Sequence, residues 1–297
     1  MPTGSAIFLD TSIQIARIVH GPEIKQKIQE RISEYDLPVS SEIVKQEFKR
    51  RLLKEAQYLL NQLNRLGSYS RVNRHVIDTL PPQQNRKRNI CLEMLGTILE
   101  ESDADLTERA KRTLRTLLKF GLDDFENTVK HIVRDAGCTC ARFPVVERKR
   151  GKEYDFGKDK CSKVGGTCGI VEFLRGRSEE IGGVLEELKS LPDAERTDEL
   201  KRIQEFIEQF LADPDSANQN DPCLKVGDLL IAMESVGIPV FYTLNAKESK
   251  HLCRRLGQDM IVRPKYHIHA DIICPETAPD WNSILAGRTP QPGEGGS

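Results

Sequence analysis

The sequence predicts an α/β protein whose central parallel sheet is interrupted by a long, mostly helical insertion. Short apolar runs, IFL at 7–9 and VFY at 240–242, lie near the two ends of the chain, and the part between them includes an insertion of about 150 mostly helical residues. Apolar runs without polar alternation are typical of parallel strands that are buried on both faces. The predicted units are a split α/β domain (1–66 and 222–286), an insertion (67–221) and a disordered tail (287–297).

The first part of the chain predicts two strands and two helical regions. After the strand at IFLD, residues 12–34 have a helical pattern with a break at 21–22, and 37–39 is a candidate second strand. Ser40 and Ser41 are residue types that cap helices, and apolar side chains follow them at helical spacing. The helix is therefore predicted to run from about 42 to 66.

Further helices fill the rest of the chain, apart from one segment of different composition. Residues 135–169 are rich in Gly, Lys and Cys and have little periodicity. The pattern predicts helices at 84–101, 106–119, 121–134, 170–190, 195–212, 227–236 and 247–256, and strands at 239–243, 260–262 and 268–273.

Composition and charge limit the classes of protein that the chain can represent. The 297 residues suffice for a large core, and the net charge of −1 means that any nucleic-acid surface must be a local patch. No run approaches the ~18 apolar residues of a membrane span, and the N-terminus lacks the basic start of a signal peptide. We therefore expect a cytoplasmic protein without membrane contact, whose eight cysteines are thiols or metal ligands rather than a disulfide framework.

Polar side chains follow the apolar runs at both ends of the chain. Asp10 ends the first strand, Asp228 opens the helix at 227–236, and Thr243 and Asn245 follow the strand at 239–243. Ligands of parallel α/β sheets bind at the edge where the carboxyl ends of the strands gather. Carboxylates brought to that edge from distant parts of the chain can share one metal site.

Four segments, which cover under half of the chain, resemble the PIN-domain nuclease family. FLDTS resembles its opening strand with the first metal-binding acid, Asp10. VSSEIVKQEFKRRL resembles its second motif, a serine-led helix with an acid six residues on, here Glu47, with Glu42 as the rival. GDLLIAMESVGIPVFYTLNAKES resembles the third and fourth motifs, with Asp228 as the third acid, Thr243 as the strand-end hydroxyl, and Asn245 where a fourth acid often stands.

This resemblance implies a three-layer α/β/α sandwich and a metal-dependent nuclease, which is a hydrolase. Asp10, Glu47 and Asp228 would hold Mg²⁺ or Mn²⁺, while Thr243 and Asn245 would complete the metal shell or position water. Phosphodiester hydrolysis needs a nucleophilic water and a charge sink for the leaving oxygen, and one or two such ions supply both. The family favours RNA over DNA as the substrate, which predicts a ribonuclease; we expect cleavage inside the RNA chain, and cleavage from an end stays open.

Two features leave an alternative open. Asn245 supplies an amide oxygen but no charge, and the insertion is longer than the catalytic half. Both favour a catalytically inactive PIN-like module that binds RNA or scaffolds a partner. The insertion would dock substrate or a regulatory protein, and a homo-oligomer is the other partner that we consider.

Half of the cysteines lie in the segment 135–169 and predict a structural zinc site. Four thiolates leave no open position on a Zn²⁺ ion, so the metal would order this segment rather than catalyse. His131 is a substitute ligand, and a redox sensor of free thiols is the alternative. The predicted ligands are Cys138, Cys140, Cys161 and Cys168; Cys91, Cys223, Cys253 and Cys274 are expected to be ordinary buried or half-buried thiols.

Basic residues follow the second motif and recur in the first part of the insertion. Charge runs are most often solvated helix faces, but the basic excess of 45–163 lies in a nearly neutral chain whose acids are concentrated at 172–221. This asymmetry fits a surface that binds a phosphate backbone beside the acidic site. The candidate substrate-binding residues are Lys49, Arg50, Arg51, Arg86, Lys87 and Arg88.

Overall fold

The computed structural model describes residues 6–81, 85–99, 105–137, 145–147, 154–156, 169–215, 225–262 and 272–274. The strands are β1 (Ala6–Leu9), β2 (Leu37–Ser41), β3 (His131–Val133), β4 (Val145–Glu147), β5 (Tyr154–Phe156), β6 (Val240–Thr243), β7 (Asp259–Val262) and β8 (Ile272–Cys274). The helices are α1 (Thr11–Val19), α2 (Pro22–Ser33), α3 (Glu42–Phe48), α4 (Lys54–Leu66), α5 (Tyr69–Thr79), α6 (Asn85–Leu99), α7 (Leu106–Thr128), α8 (Gly169–Arg175), α9 (Ser178–Ser190), α10 (Asp198–Ala212), α11 (Gly227–Glu234) and α12 (Ala246–Arg255).

The main sheet has the strand order β3-β2-β1-β6-β7-β8. Its first five strands are parallel, and β8 pairs with β7 in the antiparallel direction. From β1 the chain builds outward through β2 and β3, and it later returns to add β6 on the other side of β1. The reversal of strand order between β1 and β6 is the position where sheets of this kind bind ligands. The predicted α/β class with a parallel sheet is confirmed.

Neighbouring strand residues pack into two apolar clusters, because successive side chains point to opposite faces of a sheet. Phe8 belongs to the larger cluster, together with residues of α3 and α4, and its ring stacks on Phe241 at a centroid distance of 5.4 Å. Ile7 and Leu9 belong to the smaller cluster, together with residues of α1 and α2 such as Ile13 and Ile28. Burial of both faces explains why the strand sequences lack polar alternation.

The helix predicted at 42–66 is present but contains an unexpected wider turn. The Ser41 Oγ accepts a hydrogen bond from the Val44 N–H at 3.2 Å and caps its start. Residues Lys49–Leu53 form a π-helical segment between α3 and α4. The helix ends at Gly67, whose φ of 67° is in the left-handed region that favours glycine. Such π-helical turns are frequent at functional sites.

The two helices predicted at 106–119 and 121–134 are wrong in their boundaries, because α7 continues through Gly121. A Cβ at this position would lie only 2.9 Å from the Leu53 Cδ2. Glycine therefore permits close packing of α7 against the π-helical segment and does not interrupt the helix.

The end of the predicted helix 121–134 is instead a strand. β3 pairs with β2, with His131 opposite Val39 and Val133 opposite Ser41. The pairing joins residues about 90 positions apart, so local helical periodicity could not indicate it. A strand from within residues 67–221 thus extends the main sheet, while the domain boundaries themselves stay a prediction.

The remaining predicted elements agree with the structure to varying degrees. The helix predicted at 170–190 is divided into α8 and α9, and α10 begins at Asp198 after a short 3-10 turn at Asp193–Glu195. Part of the strand predicted at 268–273 and the whole tail 287–297 lie outside the described residues. No helix in the described ranges is both long and apolar enough to cross a membrane.

Candidate active site

The predicted acids gather where β1 and β6 end side by side. The Asp10 N–H donates to the Tyr242 carbonyl oxygen at 3.1 Å, which fixes the end of β1 against β6. From β2, the Ser40 Oγ donates to the Leu9 carbonyl oxygen at 2.9 Å. Three adjacent parallel strands therefore hold the backbone around Asp10 in place.

Asp10 is buried and is held by neutral donors. Its Oδ1 accepts a hydrogen bond from the Thr11 N–H at 2.6 Å, so the carboxylate caps α1. Its Oδ2 accepts from the Ser12 Oγ at 2.6 Å and from the Thr243 Oγ1 at 2.8 Å. The hydroxyl groups orient the carboxylate without neutralising its charge.

Glu47 lies beside Asp10 and is held by two cations. Its Oε2 accepts a hydrogen bond from the Thr11 Oγ1 at 2.9 Å. Its Oε1 accepts from the Nη2 atoms of Arg50 and Arg51, at 3.1 Å and 2.9 Å. Glu42, the rival residue, accepts a hydrogen bond from Gln46 on its own helix at 2.9 Å.

Asp228 lies in the first turn of α11, where it reaches solvent but is surrounded largely by protein atoms. Burial and then the charges of Glu47 and Asp10 raise the pKa of Asp228 to about 7, against the opposing effects of Arg51 and Arg86. The three predicted acids therefore interact electrostatically in one site. Removing the charge of Asp10 or Glu47 therefore changes the ionisation of Asp228.

Asn245 and Gly227 fix Asp228 relative to its neighbours. The Asn245 Nδ2 donates to the Asp228 Oδ2 at 3.3 Å, and the Asn245 N–H donates to the Thr243 Oγ1 at 2.9 Å. A Cβ on Gly227 would lie 2.9 Å from the Glu47 Oε1, so glycine permits the close approach of α11 to α3.

The oxygen donors of the site suit a hard cation, although the described residues do not form a complete set of metal ligands. Carboxylate, amide and hydroxyl oxygens are ligands that Mg²⁺ and Mn²⁺ accept. In the described part of the chain, no group of three or more His, Cys, Asp or Glu side chains is positioned to hold a metal ion. Mg²⁺ typically takes one or two carboxylates and keeps several waters, which Asp10 and Asp228 would provide for. Glu47 would ligate directly only after its guanidinium partners move.

A cavity of about 200 Å³ opens beside Glu47 and Asp228. Its walls come from α3 with its π-helical extension, α6, α10 and α11. Arg50, Arg51 and Arg86 of the predicted substrate-binding set line it, whereas Lys49, Lys87 and Arg88 do not. The remaining lining residues are Glu47, Glu199, Arg202, Gly227 and Asp228.

Two of the predicted substrate-binding residues have other surroundings. Lys87 pairs with Glu55 at 3.3 Å and lies 3.9 Å from the centre of the Tyr58 ring. Burial and then the charge of Lys45 lower the pKa of Lys49. Sequence reasoning missed the contribution of α10 to the cavity, because Glu199 and Arg202 form an ordinary-looking pair three residues apart.

Another acid that sequence reasoning missed is Glu234, at the far end of α11. Burial raises the pKa of Glu234 to about 7, opposed by hydrogen bonds from the Ser41 hydroxyl and from the N–H groups of Ala136 and Ile43. The Ala136 N–H lies 3.3 Å from the Glu234 Oε1. Glu234 therefore connects α11 to the ends of β2 and β3.

The predicted zinc ligands Cys138, Cys140, Cys161 and Cys168 lie outside the described residues, so the zinc site stays a prediction. The flanking glycines are described: a Cβ on Gly169 would lie 2.3 Å from the Gly137 carbonyl oxygen. The chain thus enters and leaves the cysteine segment at neighbouring points. The substitute ligand His131 lies exposed in β3.

Two of the scattered cysteines are buried thiols, as expected. Burial raises the pKa of Cys91 to about 12 and that of Cys253 well above its usual value. Both therefore stay protonated and poorly reactive at neutral pH. Cys223 lies outside the described residues, and Cys274 ends β8.

Comparison of the chain with models of protein families, with curated proteins and with solved structures finds no match. The function is therefore inferred from the geometry of the acidic site and from the motif resemblance.

Proposed function

We propose that the protein is a Mg²⁺- or Mn²⁺-dependent nuclease that hydrolyses phosphodiester bonds of RNA. The observation that carries this proposal is the meeting of Asp10, Glu47 and Asp228 at the point where the strand order reverses. The charges of Glu47 and Asp10 help to raise the pKa of Asp228 to about 7. Carboxyl groups that lie close together despite the repulsion between their charges are typical of sites that bind a cation or transfer protons.

The finer fold that we propose is the three-layer, PIN-like α/β/α sandwich. The two apolar clusters on opposite faces of the sheet support it. The order of the acids along the chain supports it as well, since Asp10 follows β1, Glu47 lies in the helix after β2, and Asp228 precedes β6.

Each polar residue has a separate role in this proposal. Asp10 and Asp228 would hold the ion, and Glu47 would join them once its guanidinium partners move; the bound ion would supply an activated water and a sink for negative charge. Ser12 and Thr243 keep the Asp10 carboxylate in one orientation through bonds of 2.6 Å and 2.8 Å. Asn245 orients Asp228 and presents a neutral amide to water or phosphate.

RNA as substrate and internal cleavage are proposals that come from the resemblance, and a cytoplasmic location is a proposal that comes from the composition. The basic residues Arg50, Arg51 and Arg86 on the cavity wall support a phosphate-containing substrate. A regulatory protein partner or a homo-oligomer remains a secondary proposal.

A second candidate function is an inactive PIN-like module that binds RNA. It is favoured by the two guanidinium groups on Glu47, which compete with a metal ion for that carboxylate. In this case RNA binding would persist without divalent metal, and no variant of the acids would change a cleavage rate.

The deciding experiment compares acid variants on a mixture of structured and single-stranded RNA, with Mn²⁺ or with chelator. Wild type should cleave only with metal, and Asp10→Asn and Glu47→Gln should lose cleavage while remaining folded. Glu42→Gln is the matched control, because it removes the same charge from the same helix and should retain activity.

Persisting cleavage in both Asp10→Asn and Glu47→Gln, after contaminating nuclease is excluded, would overturn the nuclease proposal. RNA retention in a gel shift without any cleavage by wild type would instead favour the binding module.

A further inference from the structure

Glu47 is bound by different groups through its two carboxylate oxygens. Its Oε2 accepts a hydrogen bond from the Thr11 Oγ1 at 2.9 Å, which anchors the side chain to the residue that follows Asp10. Its Oε1 accepts from the Nη2 atoms of Arg50 and Arg51, at 3.1 Å and 2.9 Å. The bond from Thr11 can therefore keep the side chain in place while the partners of Oε1 change.

The two arginine bonds are of a kind that a second acceptor can replace. Each guanidinium group donates to Glu47 through one nitrogen, Nη2, and both share one oxygen, whereas the strongest arginine pairs form two parallel bonds. Arg50 and Arg51 also line the cavity of about 200 Å³, at 25% and 20% side-chain exposure, while the Glu47 side chain is only 5% exposed. A group that enters from solvent thus reaches the guanidinium groups more readily than the carboxylate.

The phosphate of an RNA chain is an acceptor of the required kind. Its oxygens match the planar fork of N–H donors of a guanidinium group. An internal phosphodiester carries one negative charge, the same as the Glu47 carboxylate that it would replace. The exchange therefore leaves the charge around the arginines unchanged, and any position along an RNA chain can supply the phosphate.

The oxygen that the arginines occupy lies on the side of the proposed metal site. A Cβ on Gly227 would lie 2.9 Å from the Glu47 Oε1, so this oxygen lies against the first turn of α11, the turn that carries Asp228. While the arginines stay on it, a divalent ion has to approach two groups of its own charge, which lowers its affinity. A phosphate on the arginines would weaken this repulsion and free the oxygen at the same time.

We propose that a phosphodiester of the RNA substrate displaces Glu47 from Arg50 and Arg51. The freed carboxylate then joins Asp10 and Asp228 as a ligand of the metal ion. The inference rests on the nuclease function proposed above and adds to it the regulation of the same site, because metal and substrate strengthen each other's binding. Without RNA the site binds its ion weakly, and RNA completes it.

The test measures metal binding and needs no cleavage. Electron paramagnetic resonance of free Mn²⁺, in titrations of the full chain, gives the dissociation constant of the ion with dimethyl phosphate or with sodium chloride at equal ionic strength. Dimethyl phosphate is a single phosphodiester, and a titration without protein corrects for the Mn²⁺ that it binds in solution. We expect it to tighten Mn²⁺ binding to wild type about tenfold, which is in the usual range of coupling between two sites.

Two variants separate the exchange from direct contact between the phosphate and the ion. Glu47→Gln should gain less than about twofold, because no carboxylate is released, whereas a phosphate that ligates the ion directly would keep the full gain. Arg51→Gln should bind Mn²⁺ more tightly than wild type without dimethyl phosphate and should gain less from it, since one of the two competitors is gone. Either variant suffices if circular dichroism shows that the other does not fold.

Lys45→Gln is the matched control for the loss of positive charge. Lys45 lies in α3, pairs with Glu126 and does not line the cavity. Its replacement should leave both the Mn²⁺ affinity and the gain from dimethyl phosphate as in wild type.

Equal Mn²⁺ affinity of wild type with and without dimethyl phosphate would overturn the inference, and so would the same gain in Glu47→Gln as in wild type. Neither result would bear on the nuclease proposal, which RNA cleavage tests. Conversely, a gain that depends on Glu47 in a protein that cuts no RNA would overturn the nuclease proposal and leave the coupling established. No Mn²⁺ binding under either condition would overturn both.

Discussion

The two ends of α11 each carry an acid whose pKa is raised to about 7, but the surroundings of the two acids differ. Asp228, in the first turn, is near the charges of Glu47 and Asp10, which add to the effect of burial. Glu234, the last residue of the helix, is raised by burial while hydrogen bonds from the Ser41 hydroxyl and nearby N–H groups oppose the shift.

A raised pKa of a carboxyl group therefore shows by itself that the group is buried, and does not show that it belongs to a functional site. The first end of α11 combines the shift with two acids of the same site, a cavity and arginines, which are features of a site that binds a charged ligand. The second end uses its acid to join secondary structure elements, as buried polar groups with backbone partners commonly do.

The largest expected effect separates the two acids by activity. If Asp228 holds the metal as proposed, Asp228→Asn should reduce cleavage by more than about 100-fold, because loss of a residue that merely supports a metal ligand already costs roughly 10–100-fold. Glu234→Gln should change the rate by less than about threefold, since Glu234 lies at the opposite end of α11 and contacts backbone instead. Initial rates with saturating Mn²⁺ test this, and a similar loss in both variants would contradict the comparison.

The next effect concerns stability against pH in metal-free buffer. Because folding raises both carboxyl pKa values to about 7, their contribution is complete below pH ~4 and is lost as the pH rises through 7. Wild type should therefore lose free energy of unfolding between pH 5 and 8 relative to either variant. We expect about 2 kcal/mol per acid, below the limit of ~1.4 kcal/mol per pKa unit because part of the loss falls below pH 5.

Denaturant unfolding of wild type, Asp228→Asn and Glu234→Gln at several pH values measures this difference. Parallel curves for all three proteins would mean that neither acid is destabilised by folding. If the free energy of unfolding falls less steeply with pH in only one variant, the acid replaced in that variant is the one whose ionisation destabilises the fold.

A smaller effect is expected from Ser41→Ala, which acts at the second end of α11. The change removes the hydroxyl that caps α3 through the Val44 N–H and that also donates to Glu234. We expect a loss of about 1–2 kcal/mol in stability, as for other helix caps, and a further rise in the pKa of Glu234. Thermal unfolding at pH 5 and pH 8 should show a larger loss at pH 8.

The smallest effect on stability is expected from Gly227→Ala at the first end. The added Cβ would lie 2.9 Å from the Glu47 Oε1, so this carboxylate must shift away from its arginine partners. The gain in helix propensity of up to ~1 kcal/mol offsets the strain, so the melting temperature should barely change. Cleavage should nevertheless fall severalfold, and unchanged cleavage would show that the position of Glu47 is unimportant.

The sequence predicted the parallel sheet and the acids at its edge because those features depend on local patterns. An apolar run that ends in Asp10 indicates a buried strand and its carboxyl end without any knowledge of the partner strand. The helix start at Ser41 and its end near residue 66 follow from capping residues in the same way.

The features that the sequence did not predict all depend on contacts between distant residues. The pairing of β3 with β2 overrides a helical pattern, and Gly121 packs against Leu53 where a helix end was expected. The same applies to Arg202, which reaches the cavity only because α10 packs near the site. Glu234 looked like the polar end of an apolar helix, and nothing near it in sequence indicates its burial.

The contact between Gly137 and Gly169 determines how the segment between them can be replaced. The Gly137 carbonyl oxygen lies against Gly169, so the two residues that flank the segment 138–168 are close in space. A short glycine-serine bridge can therefore replace residues 138–168 without separating Gly137 from Gly169. Such a variant removes all four predicted zinc ligands at once.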